Sequence, residues 1–286
     1  MTNLGESELI LNPDGSIYHL NLKPQDIVNT IISVGDPSRV FMVSKYFDTI
    51  DFEMNKREFV THIGSYKGKK LAVMSTGMGG GNIEIFLNEL DALANIDFEK
   101  RQIKSRKKRL KIIRIGTSAA IQEDIPLGSF LISEYGVGLD AIMCYYNLPQ
   151  SEFEVEIGRS IQENLGLSVH PYVVRGSQSL LEQMKDESML IGNTVTCAGF
   201  YAPQGREIRV ETKIKGFIDK LSLFHANDFW ITNLEMETAA YYGMGRLLNH
   251  DVISMNAIIA NRIKNKFSKN PNKIIDQLIR KVLDKL

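Results

Sequence analysis

Short apolar runs, cut by glycine, proline and polar turns, alternate along this chain with stretches whose apolar residues recur every three or four positions. Ile27–Val34 (IVNTIISV) reads as a buried strand closed by the turn GDPSR. Arg57–Lys70 reads as a strand, a turn at Lys67-Gly68 and a return strand, which Leu71–Ser75 extends. A glycine-rich turn over Thr76–Gly81 follows. Ile83, Phe86, Leu87, Leu90 and Leu93 then mark one face of a helix. Lys111–Ile115 is a further strand, and the small residues Gly116–Ala120 predict a turn after it. Ser129–Val137 and His170–Val174 are strand candidates. A helix is predicted over Asn233–Asn249, a strand over Val252–Ala260 and a last helix over Lys273–Leu286. Strands alternating with helices predict an α/β fold whose sheet is covered on both faces. No repeat and no Pro- or Ser-rich linker interrupts the pattern, so a single domain over residues 1–286 is expected.

Composition narrows the function classes. The 286 residues carry 34 Lys+Arg and 34 Asp+Glu, a formal net charge of zero, which argues against wrapping nucleic acid or lying on an anionic membrane by bulk electrostatics. No run of apolar residues is long enough for a membrane span. The opening MTNLGESELI lacks a basic region followed by an apolar run, so no signal peptide is expected and the cytoplasm is the expected compartment. Cys144 and Cys197 are too few for a disulfide framework and lack zinc-ligand spacing; reduced, buried thiols are expected. One stretch departs: Lys100–Lys111 (KRQIKSRKKRLK) holds eight Lys or Arg in twelve residues. It has no interleaved aromatics to stack bases, so it reads as a solvated surface connection and no nucleic-acid partner is expected.

Three turns at strand ends have the chemistry of an anion site. Gly35-Asp36-Pro37-Ser38-Arg39 sets a bare backbone turn beside a guanidinium. Arg114-Ile115-Gly116-Thr117 combines a guanidinium, a small turn and a hydroxyl, and Thr76–Gly81 opens a helix. In open α/β sheets ligands gather at the carboxyl ends of strands, where all three turns fall, and arginine suits phosphate through its bidentate donors. Each turn alone reads better as an ordinary structural turn, and it is their joint placement that points to an anion. The rival reading is a dinucleotide fingerprint at Gly77-x-Gly79. There the third glycine position is Asn82, and the acids about 20 residues on, Asp97 and Glu99, lie in the basic region.

The motifs VGDPSR, STGMGGG, RIGTSAAI, GFYAPQGR, NLEMETAA and ANR occur in the order and spacing of the nucleoside phosphorylase family. Over roughly residues 17–283 the chain resembles its uridine phosphorylase branch. The resemblance implies a single-domain α/β/α sandwich around a mixed, partly barrel-like β-sheet. It also implies cleavage of a nucleoside by inorganic phosphate as co-substrate, giving free base and ribose 1-phosphate without a redox cofactor. By the same resemblance, Gly35, Arg39, Arg114 and Thr117 hold phosphate, and Arg57 is given to a neighbouring subunit's phosphate. His19 is given in trans to the ribose 5′-hydroxyl, while Glu235, Met236 and Glu237 hold the sugar. Phe200, Gln204 and Arg206 take the base, with Arg262 behind them. A homodimer or homohexamer with shared sites follows. His62, His170, His225 and His250 are read as structural.

Elementary chemistry suits those residue types. Breaking the glycosidic bond builds positive charge on ribose and negative charge on the leaving base. Phosphate answers the first and an Arg/Gln pair the second, one such donor being worth about 3–4 kcal/mol. Gln204 can both donate and accept on a pyrimidine edge. Purine-specific relatives commonly carry an aspartate after the late strand, where this chain reads Ala260-Asn261-Arg262. Uridine is therefore the expected substrate. The alternatives are a phosphorylase or nucleosidase for another (purine) nucleoside and a catalytically weak nucleoside-binding protein. Three features depart from the family pattern: Ala119 where glycine is common, Gly81-Asn82 where Pro-Ser is common beside a monovalent-cation site matching Glu58, and the basic insertion at about 100–111.

Overall fold

The computed structural model describes residues 3–286. The chain lays down β1 (Thr30–Val34), α1 (Pro37–Ser44), β2 (Thr49–Lys56), β3 (Phe59–Tyr66), β4 (Lys69–Ser75), α2 (Gly80–Asn95), β5 (Lys111–Ala120) and β6 (Phe130–Gly138). There follow α3 (Glu152–Leu165), β7 (Tyr172–Arg175), α4 (Gln178–Met184), β8 (Met189–Thr196), α5 (Phe217–Ser222) and β9 (Asn233–Glu235). The chain closes with α6 (Thr238–Leu248), β10 (Asp251–Asn261), β11 (Lys266–Phe267) and α7 (Pro271–Lys285).

These eleven strands form one mixed sheet, ordered β11-β10-β6-β8-β9-β5-β1-β4-β3-β2, with β7 pairing Tyr135–Gly138 on the edge of β6 that β10 uses at Phe130–Ile132. Because β10 also pairs with β5, the strands β5, β10, β6, β8 and β9 close on themselves as a five-stranded barrel. The rest splay out from β5 as an open sheet. Burial explains why β5 sits at the junction: Ile112, Ile113 and Ile115 are all covered, as a strand packed on both faces requires. Two different neighbours share one edge of β5. β1 pairs from Lys111 to Ile115, and β9 pairs only at Ala119 and Ala120. Between them the edge at Gly116–Ser118 is released, and the carboxyl ends of β1 and β9 face each other across it.

The helices follow their periodicity. α2 buries Ile83, Phe86, Leu87, Leu90 and Leu93, the face that the sequence predicts, and α7 buries Ile275, Leu278, Ile279, Val282 and Leu283. Four expectations change. Gly116–Ala120 is no turn; it continues β5, held by β10 along its length. The helix predicted from Asn233 starts at Thr238, because Asn233–Glu235 pairs with β8 as a strand. GDPSR is the cap and first turn of α1, with Asp36 accepting from the Ser38 N–H at 2.8 Å. Cys144 is exposed, and only Cys197 is buried.

The basic segment is only partly a solvated connection. Arg101 Nε donates to the Leu4 carbonyl at 2.8 Å and its Nη2 to the Gly5 carbonyl at 2.7 Å, while Lys104 Nζ donates to the Ala94 carbonyl at 3.0 Å. Arg106, Lys107 and Lys108 stay exposed. Among the described residues no helix is long and apolar enough to cross a membrane.

Candidate active site

A cavity of about 540 Å³ opens where β1 and β9 part along β5. That is the size class of small-ligand sites, at the kind of switch point where α/β sheets bind ligands. Its walls come from chain leaving β1 (Gly35, Arg39), β4 (Gly77, Met78), β5 (Arg114 and Gly116–Ala119) and β9 (Glu235–Glu237). Phe200, Gln204, Arg206, Ile259 and Phe267 close the far end.

At one end lies Arg114, only 4% exposed. Its Nη2 stands 2.8 Å from Glu235 Oε2 and 2.6 Å from Glu237 Oε2, and its Nη1 donates to Ser254 Oγ at 3.1 Å and Asn256 Oδ1 at 3.0 Å. The guanidinium folds back over its own strand two residues on. A Cβ at Gly116 would meet Nη1 at 2.0 Å, so only glycine fits there. Glu235 also accepts from Thr196 Oγ1 (2.7 Å) and from the N–H groups of Glu237 (2.9 Å) and Thr238 (3.0 Å). Glu237 accepts from the Gly79 N–H at 2.7 Å. These two carboxylates thus answer the positive N-termini of α6 and α2 as well as Arg114. Burial pushes the Glu237 carboxyl above the usual range, and Glu235 adds to the shift while Arg114 opposes it. Arg39, half-buried on α1, has no carboxylate within ion-pair distance among the described residues. Burial and the nearby Arg114 lower its pKa, but a guanidinium stays charged at neutral pH. This end of the cavity is built for an added anion.

The opposite end is a guanidinium–amide cluster. Gln204 is buried, and its main-chain carbonyl accepts from Arg262 Nη1 at 2.9 Å. Arg206 Nη1 donates to the Phe200 carbonyl at 2.6 Å and to Gln204 Oε1, with its Cζ 3.9 Å from the Phe200 ring centroid. Burial and the neighbouring Arg262 push Arg206 down to about 10, which leaves it a cation at neutral pH. Gln204 keeps its amide N–H donors for a ligand, beside a charge placed to stabilise a leaving anion.

Gly35, Arg39, Arg114, Thr117, Glu235, Met236, Glu237, Phe200, Gln204 and Arg206 therefore meet in one cavity. Arg262 stands behind Gln204. His19 and Arg57 are not brought there within one chain. His19 Nδ1 lies 2.6 Å from Glu89 Oε1, and Arg57, at φ 56°, holds its Cζ 5.8 Å from the Tyr18 ring centroid. Glu58 packs against Gly77, and no group of three His, Cys, Asp or Glu residues suited to a metal occurs among the described residues. Ala119 pairs with Leu234 and, just past a bulge in β10, with Ala260, and its φ is not positive, so its methyl costs the backbone nothing. Sequence reasoning did not find Phe267, a lone aromatic among lysines and serine. It also missed Ser254 and Asn256, although two polar residues at alternate positions of an apolar strand are a legible sign of a polar interior.

Residues 29–282 match the family model described as the phosphorylase superfamily, and the chain belongs to that superfamily. Within it, the chain is 28% identical over 264 residues to a protein named uridine phosphorylase from Thermococcus kodakarensis, covering 90% of this chain and 81% of that one. It is 25% identical over 252 residues to a DeoD-type purine nucleoside phosphorylase of Buchnera aphidicola, covering 88% and 89%. Among solved structures it superposes with a TM-score of 0.89 and 28% identity on a Trypanosoma brucei nucleoside phosphorylase described as showing uridine phosphorylase activity, covering 97% and 99% of the two chains.

Proposed function

We propose that this protein is a uridine phosphorylase, a pentosyltransferase converting uridine and phosphate to uracil and ribose 1-phosphate in cytoplasmic nucleoside salvage. The observation that carries the reading is one cavity with an anion-ready end at Arg39 and Arg114, carboxylates in its middle and a Gln204–Arg206 pair at its far end. Phosphate at the first end places an oxygen against C1′. Glu237 and Met236 orient the ribose. As the C1′–N1 bond breaks, its electron pair leaves with the uracil, whose carbonyl charge Arg206 stabilises and whose edge Gln204 reads. Positioning and preorganised donors supply the acceleration, and inorganic phosphate is the only co-substrate invoked.

The pyrimidine preference is supported by what stands in place of an acid at the end of β10. Asn261 Nδ2 donates to the Gln122 and Ile125 carbonyls, both at 2.9 Å, so that position braces a loop and offers no proton to a purine ring. Free base is to be followed across a nucleoside panel with and without phosphate. Uracil should be released from uridine only with phosphate, and faster than hypoxanthine from inosine or adenine from adenosine. Faster purine release at matched concentrations overturns the pyrimidine assignment, and release without phosphate overturns the phosphorylase chemistry.

A further inference from the structure

Glu89, in the middle of α2, turns both its carboxylate oxygens to the segment that carries His19. Its Oε2 accepts from the main-chain N–H of Leu20 at 2.8 Å, and both oxygens lie 3.0 Å from the main-chain nitrogen of His19. Its Oε1 also lies 2.6 Å from His19 Nδ1. Two main-chain donors converge on this carboxylate and favour its charged, acceptor-only form. The imidazole therefore supplies the proton of the 2.6 Å contact. In the neutral ring that proton sits on Nδ1 and leaves Nε2 a bare acceptor. The segment itself is firmly set, because Ile17, Leu20 and Leu22 are buried on either side of His19 and its ring meets Tyr18 edge-to-face at 4.7 Å. The Glu89 side chain is 13% exposed and that of His19 25%, so their contact is sheltered while part of the ring stays open. Among the described residues Nε2 has no hydrogen-bond partner, and neither residue lines the cavity of its own chain.

We propose that Glu89 is a positioning residue that makes His19 an acceptor: with Nδ1 held by the carboxylate, Nε2 accepts the hydrogen bond of the 5′-hydroxyl of a nucleoside bound in a neighbouring subunit's cavity. For the identity of that hydroxyl the inference rests on the uridine phosphorylase reading and on the resemblance that gives His19 to a neighbouring site. The Glu89–His19 geometry stands without either.

Glu89→Gln separates holding the segment from setting the ring proton. The glutamine oxygen can take the place of Oε2 before the two main-chain N–H groups, which sets its NH2 against Nδ1 and drives the ring proton to Nε2. Nitrogen NMR of histidine-labelled protein at about pH 8, with the His19 signal assigned by its loss in His19→Ala, should show the Nδ1–H form in the wild type and the Nε2–H form in Glu89→Gln. The substrate readout is 5′-amino-5′-deoxyuridine against uridine. An ammonium only donates, so it suits a bare Nε2 and opposes an Nε2–H, whereas a hydroxyl can turn to accept. The ratio of kcat/KM for the amine to that for uridine should fall about tenfold or more in Glu89→Gln, with uridine itself losing less than about fivefold. A wild-type His19 in the Nε2–H form, or the same form in both proteins, overturns the proposal. So does a variant whose one change is a lower melting temperature, the mark of a merely structural contact. Glu89→Ala serves should the glutamine variant not fold, and it too should lose the Nδ1–H form. If the ring proton moves as expected and the substrate ratio does not, Nε2 does not face the 5′ position and its ligand assignment is overturned. Wild-type protein that turns over no uridine refutes the functional reading instead, and leaves the NMR result standing.

Discussion

Gly116 is the smallest residue with the largest local consequence. Its backbone is ordinary for a strand, so its need for glycine comes from the guanidinium lying 2.0 Å from where a Cβ would be. Arg114 cannot swing away cheaply, because two carboxylates, a serine and an asparagine hold it. Gly116→Ala should displace that guanidinium and lower kcat/KM for phosphate by about 10²-fold or more, the scale for one preorganised charged donor. Wild-type phosphate saturation in a folded Gly116→Ala protein would remove Arg114 from the anion site. A second residue, Asp140, lies under the α2 N-terminus, where a Cβ at Gly80 would meet its Oδ2 at 2.7 Å. Burial pushes its carboxyl up to about 6 from 3.8, although Tyr172 Oη donates to both oxygens at 2.8 and 3.0 Å. A folded-state pKa above the unfolded one means the native state holds the proton more tightly. Ionised Asp140 therefore costs stability, fully above pH 6 and progressively less toward pH 4, about 3 kcal/mol in all. Comparing wild type with Asp140→Asn cancels the other carboxylates. Their stability difference should shift in favour of wild type as pH falls from 7 to 4.5, and a flat difference would contradict it.

At the scale of elements, the site depends on where β5 changes partners and where three helices begin. Glu237 caps α6 while its side chain reaches the first amide of the α2 turn, so one residue ties two helix starts to Arg114. Two carboxylates share that one guanidinium, and burial raises Glu237, so its charge is held against the preference of the fold. Glu237→Gln should melt no lower than wild type, because Glu235 alone neutralises Arg114, while kcat/KM for uridine falls sharply. A large drop in melting temperature would instead make Glu237 a structural anchor. The same elements show what was legible in the sequence. α2 and α7 were, because a half-buried helix repeats its apolar face every three to four residues. Gly116–Ala120 read as a turn because small residues usually mark one; here they mark a strand with Arg114 folded over it and the cavity beside it. Asn233-Leu234-Glu235 carries a helical pattern into Thr238, yet β8 captures it through pairing at Thr194–Thr196, a tertiary override that no local window contains. The cavity residues were legible as motifs. Their shared cavity was not, since it depends on which strands leave β5, and Phe267 arrives from a two-residue strand with no signal of its own.

At the scale of the whole molecule, the two residues that the family resemblance assigns to the substrate but that this chain keeps out of its own cavity form a second constellation. Lys56 Nζ donates to the Tyr18 carbonyl at 2.6 Å and to Asn12 Oδ1 at 3.1 Å, pinning the N-terminal segment to the end of β2. Glu89 accepts from the main-chain N–H of His19 at 3.0 Å and of Leu20 at 2.8 Å, besides meeting the imidazole. His19 and Arg57 are thus both held near Tyr18, a polar pair with no ligand of its own in this chain. If a second copy presents them to the cavity, every complete site takes Gln204 from one subunit and Arg57 from the other. The consequence is complementation. Arg57→Ala and Gln204→Ala homo-oligomers should each be nearly inactive on uridine. In a mixed dimer one site collects both lesions and the other collects none, because the intact Gln204 and the intact Arg57 come from opposite chains. Random reassortment at equal concentrations makes half the dimers mixed, each with one whole site, so about a quarter of wild-type activity should return. The measurement is uracil release before and after unfolding and co-refolding the two variants, with tagged subunits used to verify mixing. Verified mixed dimers without recovery would place Arg57 outside any shared site, and recovery much above a quarter would mean that one of the single variants was never disabled.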